Sequence, residues 1–316
     1  MVLLAFASIY LIWGSTYLAI LFPIDTPPPY MMAGTRFLVA GSLLYLFLRN
    51  RGIPRPTRRQ FLGVGVVGVL LLGIGNGGVT WAEQRIPSGV ASLLLAGTPA
   101  WMVLFDWLRP GGKRPRAGVA AGLLLGLGGI YLLIGPSNIM GAGGFDLLGS
   151  IVVVFGSMSW AFGSILSRQM DFPRSVMVAS AIEMLAAGVV LFLVGLLNGE
   201  LGRTDWSSVT GSSLLAMGYL IVFGSWIGFG AYVWLLQVTT PAKASTYAYV
   251  NPAVAVLLGW AFANERLDAR MMVAMTIIIS GVALISLSSR PEAVEVAALP
   301  DGAITGDAVE AGADRS

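Results

Sequence analysis

The chain has 316 residues, of which 56% are hydrophobic and only 11% are charged, whereas a soluble domain usually carries about 25% charged residues. This composition excludes a water-soluble globular protein, and the absence of cysteine and histidine excludes disulfides, thiol chemistry and most transition-metal sites. The net charge of +3 does not indicate a nucleic-acid partner, because the basic residues occupy short segments between long apolar stretches.

A membrane-spanning helix needs about 20 mainly apolar residues, and ten stretches of the chain meet that requirement. Proline-rich and glycine-rich segments separate them, and most of these connections are short. In chain order, predicted spans 1 to 10 cover residues 2–22, 30–48, 61–82, 87–108, 117–134, 147–167, 175–197, 211–236, 242–263 and 271–288.

Lysine and arginine in the connecting segments predict the orientation. Short cytoplasmic segments carry an excess of these residues under the positive-inside rule. Fourteen of them fall on one side, including five in residues 49–60 and four in residues 109–116, and four fall on the other side. The sequence therefore predicts a multi-pass protein of the inner cell membrane with both termini in the cytoplasm.

The two halves of the chain repeat each other. Because each half holds five spans, an odd number, the halves must cross the membrane in opposite directions. The predicted fold is an all-α membrane protein with ten transmembrane helices as two inverted five-helix repeats. A shift of 147 residues aligns Trp13 with Trp160, and a shift of 153 residues aligns Trp81 with Trp234, Gln84 with Gln237, Ser92 with Ser245, Pro99 with Pro252 and Trp107 with Trp260.

Four segments follow from this repeat. The first repeat covers residues 1–135, a connecting loop covers 136–145, and the second repeat covers 146–290. Residues 291–316 are acidic and rich in alanine and glycine, which predicts a disordered tail. Gly118, Gly122 and Gly126 recur at four-residue spacing in span 5 and permit close helix contact; a homodimer through this span stays open.

Short motifs in this ten-span frame resemble the EamA family of the drug/metabolite transporter superfamily. They are Trp13-Gly14-Ser15-Thr16, Arg36-Phe37, Pro99, Asn251-Pro252 and Asn264-Glu265-Arg266-Leu267, together with the stretch from Gly75 to Pro99. The resemblance covers residues 1–290 as two EamA domains. It implies a transporter of small metabolites, often an exporter, and it includes Ser15 and Thr16 among the candidate substrate-binding residues. The first half lacks a counterpart of Glu265, so any role of that residue is not symmetric.

Among the ionisable side chains within or beside the predicted spans, where a charge is costly, three are candidate site residues, whereas Asp106 at the end of span 4 is interpreted as an interface carboxylate beside Arg109. Arg36 lies about 9 Å from the outer end of span 2; it either snorkels to the interface or points inward to bind an anionic group or to pair with Glu83. Glu83 lies near the outer end of span 3 and is either a site residue or an interface residue beside Arg85. Glu183 aligns with Arg36 in the repeat, lies about 12 Å from the inner end of span 7, and could exchange a proton.

Two prolines lie at equivalent positions in the middle of spans 4 and 9. Pro99 and Pro252 each remove a backbone donor and free a carbonyl about four residues earlier. Matched interruptions of this kind point to a substrate site near the bilayer midplane, although an ordinary packing kink remains the alternative. Thr98 and Asn251 precede these prolines and can bind a ligand or satisfy the freed backbone.

Polar and aromatic side chains extend this candidate site. Tyr247 and Asn251 share one face of span 9, and Asn76 and Glu83 share one face of span 3, because residues four or seven apart lie on the same side of a helix. Polar stripes of this kind avoid lipid. The aromatic residues that we expect in the cavity wall are Trp13, Trp160 and Trp226.

The predicted function is secondary transport of a small metabolite, amino acid or drug-like compound by alternating access about a cavity walled by spans 1, 3, 4, 6, 8 and 9. The predicted partners are a small-molecule substrate and the lipid bilayer; no cofactor, metal, catalytic residue or nucleic acid is predicted. Two alternatives stay open: a membrane-embedded enzyme that acts on lipid-like substrates, and a non-transporting scaffold or sensor.

Overall fold

The computed structural model describes residues 1–19, 28–86, 88–134, 146–203, 210–262 and 268–289, and these residues form ten helical spans, α1 to α10, at the predicted places. Eight are long and apolar enough to cross a bilayer by themselves. The all-α membrane fold is therefore confirmed. The predicted loop at 136–145, the Glu265 segment and the predicted tail lie outside the described residues.

Of the described spans, eight are continuous helices, and two, α4 and α9, each consist of two helical segments. In chain order they are α1 Val2–Ala19, α2 Pro29–Asn50, α3 Arg58–Ala82, α4 Ser88–Leu95 with Thr98–Leu108, α5 Ala117–Ile134, α6 Leu147–Ser167, α7 Val176–Leu197, α8 Gly211–Val238, α9 Pro241–Ala244 with Tyr247–Phe262, and α10 Ala269–Ser288. A four-residue helix, Glu200–Arg203, follows α7.

Side-chain caps determine where several spans begin. Thr57 and Gln60 form a capping box at the start of α3, with the Gln60 backbone N–H donating to Thr57 Oγ1 at 3.2 Å. Asp146 and Asp268 accept from backbone N–H groups in the first turns of α6 and α10. Each cap satisfies one of the amide donors that a helix start leaves without an internal partner.

Both proline-containing spans are broken, but not at equivalent residues. In α4 the break lies at Ala96 and Gly97, directly before the segment Thr98–Leu108, whose second residue is Pro99. In α9 it lies at Ser245 and Thr246, well before Pro252, which sits inside the longer segment. The chain is therefore interrupted next to Pro99, whereas the helix that contains Pro252 is continuous through that proline, and the break in α9 lies six residues before it.

Close glycine contacts show that α2 and α7, which are equivalent in the repeat, run antiparallel. A Cβ on Gly34 would lie 2.6 Å from the backbone nitrogen of Phe192, and a Cβ on Gly41 would lie 2.8 Å from the carbonyl oxygen of Ala181. The residue numbers rise along α2 as they fall along α7. Helices that the repeat makes equivalent therefore point in opposite directions, as an inverted repeat requires.

The equivalent helices α5 and α10 pack in the same way. A Cβ on Gly122 would lie 2.8 Å from the carbonyl oxygen of Gly281, and a Cβ on Gly129 would lie 3.1 Å from the nitrogen of Ile278. The glycine face of α5 is thus covered by α10 of the same chain. A homodimer stays a prediction, and it would have to use another face.

Candidate functional site

A cavity of about 320 Å³ lies between the two repeats. Its walls come from α1, α3 and α4 of the first repeat and from α6, α8 and α9 of the second, with α2 as a further wall. Nine of the predicted site residues line it, namely Trp13, Arg36, Asn76, Glu83, Thr98, Trp160, Tyr247, Asn251 and Pro252.

Aromatic rings close one end of this cavity. Trp13 and Trp160, which are equivalent in the repeat, meet edge to face with their ring centroids 6.0 Å apart, and Tyr247 lies 4.9 Å from Trp13. Tyr232 is fully buried behind them, 5.4 Å from both Trp160 and Tyr247. Its hydroxyl accepts the Trp160 indole N–H at 2.8 Å. These contacts hold the rings in fixed orientations, so the cavity has a rigid apolar floor.

Arg36 lies inside the protein rather than on the lipid face. Its Nε donates to Ser225 Oγ at 3.2 Å, and its guanidinium carbon lies 5.1 Å above the Phe37 ring. A Cβ on Gly224 would lie 2.9 Å from Arg36 Nη2, so the absence of a side chain on Gly224 leaves room for the guanidinium. Arg36 also lines the cavity, where the guanidinium N–H groups that do not bond Ser225 can bind an anionic group.

The polar stripe of α3 lines the same cavity. Asn76, Thr80 and Glu83 all face it, and Glu83 is exposed at the end of the helix. No ion pair within 4.0 Å joins Glu83 to Arg36. The cavity therefore carries one cationic and one anionic side chain that do not neutralise each other by direct contact.

Thr98 and Asn251, the two residues before the prolines, differ in their bonding. Thr98 Oγ1 donates to the carbonyl oxygen of Leu95 at 2.6 Å, which satisfies the acceptor that Pro99 leaves without an amide donor. Asn251 is 6% exposed and lines the cavity, and its Oδ1 has no hydrogen-bond partner among the described residues. A buried acceptor without a partner is unfavourable, so Asn251 Oδ1 is a natural contact for a ligand donor.

Two π-helical segments lie at equivalent places in α3 and α8. They cover Val69–Asn76 and Leu220–Phe229, and both contribute residues to the cavity. Such segments are rare and occur often at functional sites. The sequence does not predict them, because wide helical turns have no residue composition of their own; the available signal is the set of nearby glycines, Gly73, Gly75, Gly224 and Gly228.

Five predicted site residues are not among those that line the cavity. The Ser15 hydroxyl donates to Ile12 and lies 2.5 Å from the Tyr219 hydroxyl, and the Trp226 indole donates to the carbonyl of Ala40 at 2.9 Å. Pro99 is buried at the start of its helix. The Thr16 side chain lies outside the described residues. These four therefore stay predictions without a geometric basis in the cavity.

Glu183, the fifth, lies in α7 away from the cavity and is fully buried. Within the described part of the chain, neither of its carboxylate oxygens has a hydrogen-bond partner. Gly68 packs so closely on this residue that a Cβ there would overlap the Glu183 backbone. Gly68 directly precedes the π segment of α3, just as Arg36 contacts the π segment of α8. The two repeat-equivalent ionisable residues thus sit against equivalent regions of the two halves.

The cavity also has polar wall residues that the sequence analysis did not single out. Ser92, Ser157 and Ser225 line it, and Ser225 bonds Arg36. Single serines in apolar spans are common, since their hydroxyl groups can donate to the carbonyl one turn earlier. Their position in the sequence does not distinguish a wall serine from a packing serine.

The profile of the EamA-like transporter family matches residues 1–135 and 147–287. The chain belongs to this family. Among its relatives, the protein named "Uncharacterized inner membrane transporter YedA" of Escherichia coli (strain K12) is 43% identical over 284 residues, which cover 90% of each chain.

More distant EamA-like relatives cover similar shares of the chain. Protein PecM of Dickeya dadantii is 25% identical, over 90% of this chain and 93% of its own. A solved crystal structure superposes with a TM-score of 0.74 at 22% identity, over 91% of this chain and 98% of that one, and this likeness concerns the fold alone.

Proposed function

We propose that this EamA-like protein is a secondary transporter that exports a small amphipathic metabolite across the inner membrane by alternating access. The observation that carries the proposal is the cavity between the inverted repeats, with polar groups above and a rigid aromatic floor below. Its volume of about 320 Å³ suits an amino acid or a compact drug-like molecule, since ligand pockets span about 300–1,000 Å³.

The unequal exposure of equivalent residues supports alternating access. Glu83 is exposed at the cavity end, whereas its counterpart at a shift of 153, Leu236, is fully buried. Thr80 lines the cavity, whereas its counterpart Val233 is fully buried. If the halves exchanged conformations, the open side would close and the closed side would open, which is the motion expected of inverted-repeat transporters.

The charges on the cavity wall favour a zwitterion as substrate. Arg36 can bind a carboxylate through the guanidinium N–H groups that do not bond Ser225, and Glu83 can attract an ammonium group near the opening of the cavity. The rings of Trp13, Trp160 and Tyr247 offer an apolar surface for a side chain. Together these groups match an α-amino acid with a large apolar side chain better than a simple cation or anion.

The proposed site and topology extend this assignment. We assign substrate binding to the nine cavity residues among the predicted site residues, with Asn251 as a hydrogen-bond acceptor. Residues 1–135 and 146–290 are the two transport repeats, and both termini are cytoplasmic, so that the cavity in this conformation faces outward. The substrate and the bilayer are the partners, and no catalytic step is required.

Transport by the purified protein in liposomes tests the proposal. We expect uptake of labelled phenylalanine to exceed that of phenethylamine, which lacks the carboxylate, and that of 3-phenylpropionate, which lacks the ammonium group. Empty liposomes are the control. Movement of all three at the rate of empty liposomes, with and without a pH gradient and in both protein orientations, would contradict transport. Equal movement of all three would contradict only the zwitterion.

A further inference from the structure

A second cavity of about 320 Å³ lies at the face of the protein opposite Glu83, among the ends of four helices. It is formed by the end of α4, the start of α5, the start of α9 and the end of α10, so both repeats contribute to it. The residues that border it include Arg109, Lys113, Arg114 and Arg116. This basic cavity is separate from the candidate transport site.

The charge of the basic cavity is not balanced within the described part of the chain. Its carboxylate, Asp106, accepts from Arg109 Nε at 2.6 Å. Arg116 reaches only a carbonyl, that of Ser288, at 3.5 Å. Lys113 and Arg114 form no ion pair with any described residue. Three exposed cations therefore border one concave space with no described carboxylate available to them, an arrangement that suits a multiply charged oxyanion.

The depth and the base of the basic cavity favour an amphiphile. Trp107 is 41% exposed, and the Arg114 guanidinium lies 6.0 Å from its ring centroid. An exposed tryptophan at a span end sits at the level of the lipid headgroups. The buried side chains of Val119 and Ala242 form an apolar base below the cations. Basic cavities between transmembrane helices on the cytoplasmic side suit acidic phospholipid headgroups.

The repeat supplies no copy of this arrangement on the other face. At a shift of 153 residues, residues 109–116 correspond to residues 262–269, which hold Glu265, Arg266 and Asp268 and no cluster of cations. Membrane orientation alone requires positive residues in a cytoplasmic segment, but it does not require them to converge on a cavity. A ligand of the basic cavity accounts for both the charge and the convergence.

We propose that the basic cavity binds a phosphate group, carried by an anionic phospholipid of the cytoplasmic leaflet. The phosphate would contact Lys113, Arg114 and Arg116, and the glycerol part would lie over Val119 and Ala242. Such a ligand would tie the inner end of α4 to the start of α9, the two broken helices of the transport site. The proposal is independent of the transported substrate.

Native mass spectrometry of the full chain, released from phosphatidylglycerol-containing nanodiscs, tests this proposal. The pocket variant carries Lys113→Gln, Arg114→Gln and Arg116→Gln. The matched control carries Arg55→Gln, Arg58→Gln and Arg59→Gln, which removes the same charge from another basic segment that does not border the cavity. We expect the wild type and the control to retain a bound lipid, and the pocket variant to retain it about tenfold less, since each lost cation weakens headgroup attraction.

Inorganic phosphate distinguishes the two sources of the phosphate group. If millimolar phosphate displaces the retained lipid from the wild type, the cavity also binds the free anion; if it does not, the site requires the lipid. Equal lipid retention by the wild type and the pocket variant would overturn the proposal. Equal loss in the pocket variant and the control would also overturn it, because net charge rather than the cavity would then explain binding.

Discussion

At the scale of single residues, the side chains of the cavity wall differ in the hydrogen bonds that they can still offer to a substrate. Arg36 faces the cavity and bonds Ser225, whereas Thr98 uses its hydroxyl to satisfy the carbonyl of Leu95. Both were predicted as site residues, Arg36 from the cost of a charge inside a span and Thr98 from its place before Pro99. Bonding geometry separates them, because a hydroxyl already donating to the backbone cannot also donate to a ligand.

Replacement of Arg36 tests the anionic subsite. We expect Arg36→Gln to lower the apparent affinity for phenylalanine about tenfold or more, because a hydrogen bond to a charged group contributes about 1.5–3 kcal/mol, while transport of phenethylamine changes little. Ser225→Ala removes only the hydroxyl that bonds Arg36, serves as the control, and should lower the affinity for phenylalanine less. Liposome uptake gives both values, and equal loss for the two substrates would speak against a carboxylate contact.

Asn251 offers a test that separates binding from stability. Its Oδ1 is buried without a partner, so Asn251→Leu should leave the melting temperature unchanged or higher while it raises the KM for transport about fivefold. Gln237 is the control, because its Nε2 is also buried without a partner but it does not line the cavity. If Gln237→Leu impairs transport as much as Asn251→Leu, the contact at Asn251 is not specific.

Glu183 is the candidate group for proton coupling, because a charged carboxylate that is buried without partners is costly. Release and uptake of its proton would then accompany the conformational change. We expect a pH gradient to accelerate wild-type transport and Glu183→Gln to lose that response while still folding. Flux that ignores the gradient in the wild type, together with unchanged flux in the variant, would remove the idea.

At the scale of helices, glycine decides how closely equivalent spans approach. Gly122 lies against the backbone of Gly281 in α10, whereas nothing lies within 4 Å of a Cβ on Gly128 in the same helix α5. Close packing through small residues is the main source of helix association in lipid. The glycine spacing predicts such a contact, but only the fold identifies α10 as the partner.

Overpacking at this contact should be visible in stability. We expect Gly122→Val to lower the melting temperature clearly, since an overpacked core position costs about 1–3 kcal/mol, and Gly128→Ala to leave it unchanged or raise it. Intrinsic tryptophan fluorescence of the detergent-purified protein reports the transition. A Gly122→Val variant with the melting temperature of the wild type would show that α5 and α10 separate easily.

At the scale of the whole molecule, the inverted repeat makes a prediction about access. The chain contains no cysteine, so a single introduced cysteine is the one thiol of the protein that a maleimide can label. Thr80→Cys lies in the open cavity and Val233→Cys at the equivalent buried position. In intact cells, we expect a membrane-impermeant maleimide to label the first and not the second.

Substrate provides the second half of that test. Export requires the inner side to open, so an inward gradient of phenylalanine in inverted vesicles should raise labelling of Val233→Cys. Labelling of both variants to the same extent without substrate, or none of Val233→Cys under any condition, would contradict alternating access between these faces.

The sequence by itself determined the ten spans, their helical structure and the inverted repeat. The length of each apolar stretch and the matched Trp and Pro positions can be read from the chain alone. It also predicted nine residues of the cavity wall. Only the tertiary structure decided where α4 and α9 break, where the π segments lie, and why Ser15 and Trp226 bond the protein rather than face the cavity. These features depend on which side chain of a neighbouring helix packs against each backbone group. The spacing of residues along the sequence does not specify those contacts between helices.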